Sequence, residues 1–293
     1  MTTKQTITVL GMGAMGSRMA ANYSAAGHAV TVWNRSVGRA KQIAQTSDVA
    51  VAENLHDALS SAEVVVSMLA DDAAVKSVWL DPAAGALAAM KPGSVWVESS
   101  TLTASTVKEL SEAAAVVGVD FLEAPVVGTL PQAEAGALFY LLGGEPEVCE
   151  RMKQIVDVNA GGVKRMGDAG SAAVMKLAIN GLLAIQVAAY AEIVGLLQRS
   201  DLDTDDSIEL LAKLPITAPK IGGVLTKFAE RSFEPNFPVG LVAKDLDYLG
   251  RLADELGAES PMSAATSDVF RRGAEGDLGE LDISGIAQLY LDR

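Results

Sequence analysis

The sequence predicts an α/β domain with a mainly parallel sheet, followed by an all-helical domain, and three observations carry that reading. From residue 7 to about residue 144, short runs of Val, Ile and Leu alternate with Ala-rich stretches, the rhythm of parallel strands joined by crossover helices. After about Gly167 the rhythm stops, and long Ala/Leu/Glu-rich segments are broken by Pro215, Pro235, Pro238 and Pro261. Between the two patterns, residues 170–199 read as one long helix, apolar nearly all round and so suited to burial between domains or subunits. The boundary is expected near Met166, giving domains 1–166 and 167–293.

The strands expected in order are residues 7–10 (ITVL), 29–33 (AVTVW), 64–69 (VVVSML), 94–99 (SVWVES), 120–125 (DFLEAP) and 137–144 (ALFYLLGG). Runs such as VVVSML carry apolar side chains on both faces, as strands covered by helices on two sides do. No internal repeat or low-complexity linker separates the halves. The leading MTTKQ runs straight into the first strand, without the pattern of a targeting signal. Lys176, Asn180, Gln186 and Glu192 interrupt the long apolar helix, which argues against a lipid-facing span.

Composition narrows the function. With 49% hydrophobic and 20% charged residues, the chain is an ordinary globular protein. A net charge of -14 repels nucleic acid phosphates and anionic lipid alike, so neither is an expected partner. Cys149 is the sole cysteine, and His28 and His56 are the only histidines. Intramolecular disulfides are therefore excluded, a metal centre is not expected, and a reducing, cytoplasmic setting fits.

Gly11, Gly13 and Gly16 form G-x-G-x-x-G directly after the first strand and before an amphipathic stretch. The first glycine permits the tight turn, the second admits a pyrophosphate against the backbone, and the third lets helix pack on strand. Unpaired N–H groups at the following helix start then face the phosphates. The turn Gly11, Met12, Gly13, Ala14, Met15, Gly16 is thus the expected dinucleotide cradle of a Rossmann-type domain. The second strand ends in Asn34, Arg35 and Ser36, with Arg39 one turn on, and no Asp or Glu occurs between residues 29 and 46. A ribose 2′-hydroxyl calls for a carboxylate there, a 2′-phosphate for donors and positive charge. NADP(H) is the expected cofactor.

In the long helix Lys176 and Asn180 are four residues apart and project from one face. Burying an ammonium in so apolar a segment is costly and favours proton exchange near neutrality. Glu192 is no partner, because sixteen residues at about 100° each place it roughly 160° around the helix. A lysine that merely reaches its head to solvent from the helix start remains the alternative.

With these features in place, the chain resembles the β-hydroxyacid dehydrogenase family, which takes in 3-hydroxyisobutyrate dehydrogenases, tartronate semialdehyde reductases and glyoxylate/succinic semialdehyde reductases. The markers are VLGMGAMGSRMA from Val9, SML from Ser67, ESST from Glu98, EAPVVGTLPQAEAGAL from Glu123, GSAAVMKLAIN from Gly170, VAKDLD from Val242 and ELDIS from Glu280. The resemblance spans nearly the whole chain. It implies a Rossmann-type domain, a long interdomain helix, and an all-α domain like the C-terminal part of 6-phosphogluconate dehydrogenase, assembled as a homodimer or homotetramer. It implies Lys176 as the catalytic lysine and Asn180 as the neighbour that orients it or the substrate. Leu69, Ala70, Thr101 and Lys244 fall on cofactor positions; Ser100, Val127, Gly128 and Thr129 fall where a substrate carboxylate is held. The implied reaction reduces a small aldehyde or keto acid to its hydroxy acid, with hydride from NADPH and a proton from Lys176.

Two departures stand out. The family's substrate loop commonly reads Ser-Gly-Gly where this chain has Val127, Gly128 and Thr129, and the acid before the Ser-Ser/Thr pair is commonly Asp where this chain has Glu98. The altered loop keeps an imine reductase open as an alternative, although that group typically carries Asp or Tyr at the position of Lys176. A non-catalytic dinucleotide-binding protein is the second alternative.

Overall fold

The structure, a computed structural model, describes residues 4–81 and 85–291; Met1 to Thr3 of the leading segment and the last two residues of the expected helical domain lie outside the described residues. The chain divides into two compact units, Met1–Lys176 and Leu177–Arg293.

The first unit alternates strand and helix: β1 (Thr6–Leu10), α1 (Ala14–Ala25), β2 (Ala29–Trp33), α2 (Val37–Ile43), β3 (Ala50–Val51), α3 (Leu55–Leu59), β4 (Val64–Ser67), α4 (Asp72–Trp79), β5 (Val95–Glu98), α5 (Ala104–Val116), β6 (Asp120–Glu123), β7 (Val126–Val127), α6 (Leu130–Glu134), β8 (Leu138–Gly143), α7 (Pro146–Asp157) and β9 (Ala160–Gly167). The nine-stranded sheet runs β3-β2-β1-β4-β5-β6-β8-β7, with β9 paired to β8. Pairing is parallel from β3 through β6. The sheet is thus mainly parallel, as expected, and its far side is mixed: β8 is antiparallel to β6 and β7 and parallel to β9. The sequence reading also missed β3, β7 and β9. β9 (AGGVKRMG) has little buried on either face, so it lacks the apolar signature of an interior strand.

Alternation along the strands sorts the core into two layers. Val64, Val66, Val95, Val97 and Leu122 face one cluster with Met19 and Tyr23 of α1. Val65, Trp96 and Phe121 face the other with Val75, Trp79 and Leu110, where the Trp79 and Trp96 rings stack at 3.8 Å and Phe121 meets Trp96 edge-on at 5.0 Å. This two-sided burial is what the doubly apolar runs require.

Strand order reverses between β1 and β4, so the crevice beyond their carboxyl ends is the place where such sheets hold ligands. Register carries that rim onward: Leu10 lies beside Ser67, Ser67 beside Glu98, Glu98 beside Glu123, and Glu123 beside Gly143.

The 28-residue α8 (Ser171–Gln198) begins in the first unit and continues into the second. The second unit adds α9 (Thr204–Lys213), α10 (Pro219–Glu230), α11 (Val239–Leu256) and α12 (Pro261–Glu275), and a 3-10 turn at Ile283–Leu289. Its core gathers Val187 and Val194 of α8, Leu225 and Phe228 of α10, Val242 and Leu246 of α11, and Phe270 of α12. Asp282 fastens the C-terminal turn, accepting from the N–H groups of Asn236, Phe237 and Ser284 and pairing with Lys227 at 3.0 Å. Burial pushes its carboxyl up, but the bonds from Ser284, Lys227 and Asn236 outweigh burial and hold it below the usual range.

Candidate functional site

The glycine turn is built as its spacing requires. Gly11 has φ 96°, and a Cβ there would lie 2.2 Å from Met68 O, so conformation and space both demand glycine. A Cβ on Gly16 would lie 2.0 Å from Gly11 O, which is how closely α1 packs on the turn. Gly13 differs: a Cβ there meets nothing within 4 Å. No neighbouring protein atom demands that glycine, and the open space lies at the start of α1, where Gly13 is the N-cap without a side-chain cap. Uncapped N–H groups at a helix N-terminus suit a phosphate. A groove of about 470 Å³ runs past Met12, Gly13, Ala14 and Ser17 to Arg39. These features fit a dinucleotide.

Asn34 closes the turn from within. Its Oδ1 accepts from Met12 N at 3.0 Å and its Nδ2 donates to Ser36 O at 3.0 Å. Arg35, Ser36 and Arg39 are exposed at the end of β2 and the start of α2. Met15 is half-buried on α1.

The loops after β4 and β5 are tied together by two carboxylates: Glu98, which the sequence marks as a departure from the family's Asp, and Asp72, which sequence reading did not single out. Glu98, 1% exposed, accepts from Ser67 Oγ at 2.5 Å and Ser100 N at 2.9 Å. Trp96 Nε1 donates to the same Ser67 Oγ at 2.8 Å, and Leu69 N donates to Ser100 Oγ at 2.8 Å. Burial pushes the Glu98 carboxyl up to about 7 against the hydrogen bonds from Ser100 and Ser67. Asp72 repeats the connection one layer out, accepting from Thr103 N at 3.0 Å and Thr103 Oγ1 at 2.7 Å. Leu69 is therefore fixed against Ser100, Ala70 and Thr101 lie in the segments between this tie and that of Asp72 to Thr103, and Glu98, the departure from Asp, is the carboxylate that joins Ser67 to Ser100. Ser100 is buried in this arrangement, with its Oγ accepting from Leu69.

Val127 ends β7, and Gly128 turns the chain with φ 145°, where a Cβ would lie 2.8 Å from Leu138 Cδ2. Thr129 caps α6, its N–H and hydroxyl both donating to Gln132 Oε1 at 2.9 and 2.8 Å.

On α8, Lys176 is 8% exposed and Asn180 6% exposed, one helical turn apart. The start of the helix is held by Glu123, whose carboxylate accepts from the N–H groups of Gly170, Ala172 and Ala173. Burial pushes Glu123 up to about 7, with those three N–H groups pulling the other way. In the second unit, Asn180 Nδ2 donates to Asp245 Oδ2 at 2.6 Å. Asp245 Oδ1 lies 3.1 Å from Lys244 Nζ, an ion-pair contact off the hydrogen-bond direction. Lys244 also sits 5.0 Å from the centre of the Tyr248 ring. Asp245, buried and joining two of the expected residues, is the member the sequence reading passed over; an acid directly following the expected cofactor lysine was the available signal.

Comparison with known proteins agrees with this architecture. Residues 6–167 match the NAD binding domain of 6-phosphogluconate dehydrogenase, and residues 170–290 match the NAD-binding domain of NADP-dependent 3-hydroxyisobutyrate dehydrogenase. Glyoxylate/succinic semialdehyde reductase 1 of Arabidopsis thaliana is 29% identical, with 95% of this chain and 96% of that protein covered. The solved structure of Mycobacterium tuberculosis 3-hydroxyisobutyrate dehydrogenase with L-serine superposes with a TM-score of 0.88 at 28% identity, covering 98% of this chain and 99% of that one. A reductive aminase from Aspergillus terreus shares the fold at a TM-score of 0.63 and 22% identity, covering 99% of this chain and 100% of that one.

Proposed function

Because the chain belongs to the β-hydroxyacid dehydrogenase family, we propose that it is an NADPH-dependent oxidoreductase that reduces a small aldehyde or keto acid to the hydroxy acid, with Lys176 as the proton donor. Dependence on a nicotinamide dinucleotide and action on a CH–OH group agree with its relatives; NADPH and the lysine's role are the finer reading. The observation that carries it is Lys176 itself, the one basic residue of a 28-residue helix and 8% exposed. A buried ammonium is a costly feature that a catalytic proton transfer explains.

Bound NADPH supplies the hydride. Lys176 Nζ gives its proton to the carbonyl oxygen, cancelling the negative charge that builds there. Asn180, its side chain tied to Asp245, orients the ammonium or the substrate. The backbone around Gly128 holds the acid group, turning an encounter into a positioned reaction, and Thr129, whose hydroxyl donates to Gln132 Oε1, braces that loop. Ser100 supports this from behind by holding the Leu69 loop. Arg35 meets the 2′-phosphate, a role supported by its exposure and by the lack of any Asp or Glu between residues 29 and 46. The enzyme in this reading is cytoplasmic, and it is a homodimer or homotetramer, an assembly supported by the exposed apolar side chains of Leu182, Ile193 and Leu196 on α8.

The test is NADPH oxidation with glyoxylate and with succinic semialdehyde, for the parent and for Lys176→Ala. Turnover that vanishes in the variant while NADPH still binds supports the reading; undiminished turnover in the variant sinks it. A cyclic imine in the same assay addresses the second reading, an imine reductase, which the altered Val127, Gly128 and Thr129 loop keeps open and Lys176 argues against. Oxidation with the imine and none with either acid selects it.

A further inference from the structure

We propose that Glu123 is a positioning residue for this reaction: its carboxylate, by holding the first turn of α8, sets the place from which Lys176 delivers its proton. The proposal rests on the reading of Lys176 as the proton donor.

Glu123 ends β6 and is 1% exposed. Its Oε2 accepts from Gly170 N at 2.8 Å and Ala172 N at 3.2 Å, and its Oε1 from Ala173 N at 2.6 Å. A helix start leaves four N–H groups without intrahelical partners, and the oxygen that satisfies them ordinarily comes from the residue just before the helix. Here one carboxylate, 47 to 50 residues away in sequence, satisfies three such groups around the helix start. The adjoining strand is shaped for it. Gly143 stands beside Glu123 in register, and a Cβ there would lie 2.0 Å from Glu123 Oε2. Any larger residue at that position drives the carboxylate off the helix.

Three bonds to one rigid strand end fix both the height and the rotation of the helix's first turn. Each residue adds 1.5 Å and about 100°, so Lys176, three residues beyond Ala173, inherits both. The chain also runs from Glu123 through Ala124, Pro125 and Val126 into Val127, Gly128 and Thr129. The same strand end therefore references the amine and the loop assigned to the acid group to one fixed point. A misplacement of 1 Å in such a pair costs on the order of a hundredfold in rate.

The experiment compares the parent with Glu123→Gln, Glu123→Asp and Gly143→Ala. It measures kcat, KM for NADPH, and hydrogen exchange at the Ala172 and Ala173 amides. Gln keeps the size but replaces one accepting oxygen by a donor; Ala at 143 leaves the charge and displaces it. Expected in both are a kcat lower by about 10- to 100-fold, a KM for NADPH within about twofold of the parent, and faster exchange at the two amides. Glu123→Asp, which keeps the carboxylate, recovers part of the lost kcat. Parental kcat in both variants overturns the proposal, as does a loss in which KM for NADPH rises as kcat falls, because general damage to the first unit moves both. Should Glu123→Gln fail to fold, Gly143→Ala decides by the same readouts. Full turnover in Lys176→Ala sinks the lysine reading instead, and the exchange rates then report a clamp with no part in catalysis.

Discussion

Glu98 and Glu123 stand side by side in register at the carboxyl ends of β5 and β6, each 1% exposed, yet they hold different parts of the rim. Glu98 binds the loops after β4 and β5, whereas Glu123 binds the start of α8. Both carboxyls are pushed up to about 7 by burial.

That pairing sets a pH dependence of stability. The folded chain retains two protons that the unfolded chain, with carboxyls near 4.5, has released. The stability these groups confer is full below about pH 4.5 and declines as pH climbs toward 7. Replacing Glu98 by Gln removes its share of the decline. The difference in unfolding free energy between Glu98→Gln and the parent is expected to shift in favour of the variant from pH 5 to 7.5, by at most about 1.4 kcal/mol per pH unit. Urea melts at four pH values measure it, and a pH-independent difference contradicts the assignment.

The three motif glycines separate by mechanism. Gly16→Ala forces a Cβ to 2.0 Å from Gly11 O and is expected to cost about 1 to 3 kcal/mol of stability. Gly13→Ala meets open space within the protein, so its melting temperature should match the parent while NADPH affinity drops by about tenfold or more. Calorimetric titration and a thermal melt distinguish the two; equal affinity in Gly13→Ala removes the pyrophosphate from that space.

Arg35 discriminates cofactors in the proposed reading. Arg35→Ala is expected to raise the Kd for NADPH about 10- to 100-fold and to leave NADH within about twofold, since only the 2′-phosphate makes charge-assisted bonds to the guanidinium. Parallel weakening of both cofactors assigns the arginine elsewhere.

Two neighbouring acids on α11 provide a matched pair. Asp245 is buried between Lys244 and Asn180, and Asp245→Asn should lower stability by about 3 kcal/mol and reduce kcat. Asp247 pairs with Arg251 at the surface, and Asp247→Asn should change stability by less than about 0.5 kcal/mol. Equal effects at the two positions contradict the buried role of Asp245.

What the sequence made legible was local. Gly11 and Gly16 announce themselves because a positive φ and a crowded turn exclude other residues within a few positions. Lys176 is legible because a cation in an apolar run is anomalous without any knowledge of its surroundings. Glu98, Glu123 and Asp245 were not, because their meaning lies in partners 31, 50 and 65 residues away. Asn34 shows the same limit from the other side: its residue type reads as a donor toward a 2′-phosphate, and only the structure adds that its amide links Met12 to Ser36. β9 escaped because an exposed, glycine-bearing edge carries no period-two signal.

The stacked pair formed by Trp79 and Trp96 has an optical consequence. Together with Trp33 they make up the chain's three tryptophans, and all lie within the unit Met1–Lys176. Tryptophan emission, excited selectively over tyrosine, is therefore a gauge of that unit alone, with Trp96 reporting on the Ser67 contact and Trp33 on the strand end that receives the Gly11 amide. Unfolding of the helical half passes unseen by this signal and is followed instead by far-ultraviolet circular dichroism. A lag between the two spectroscopic traces shows that the two units unfold at different points.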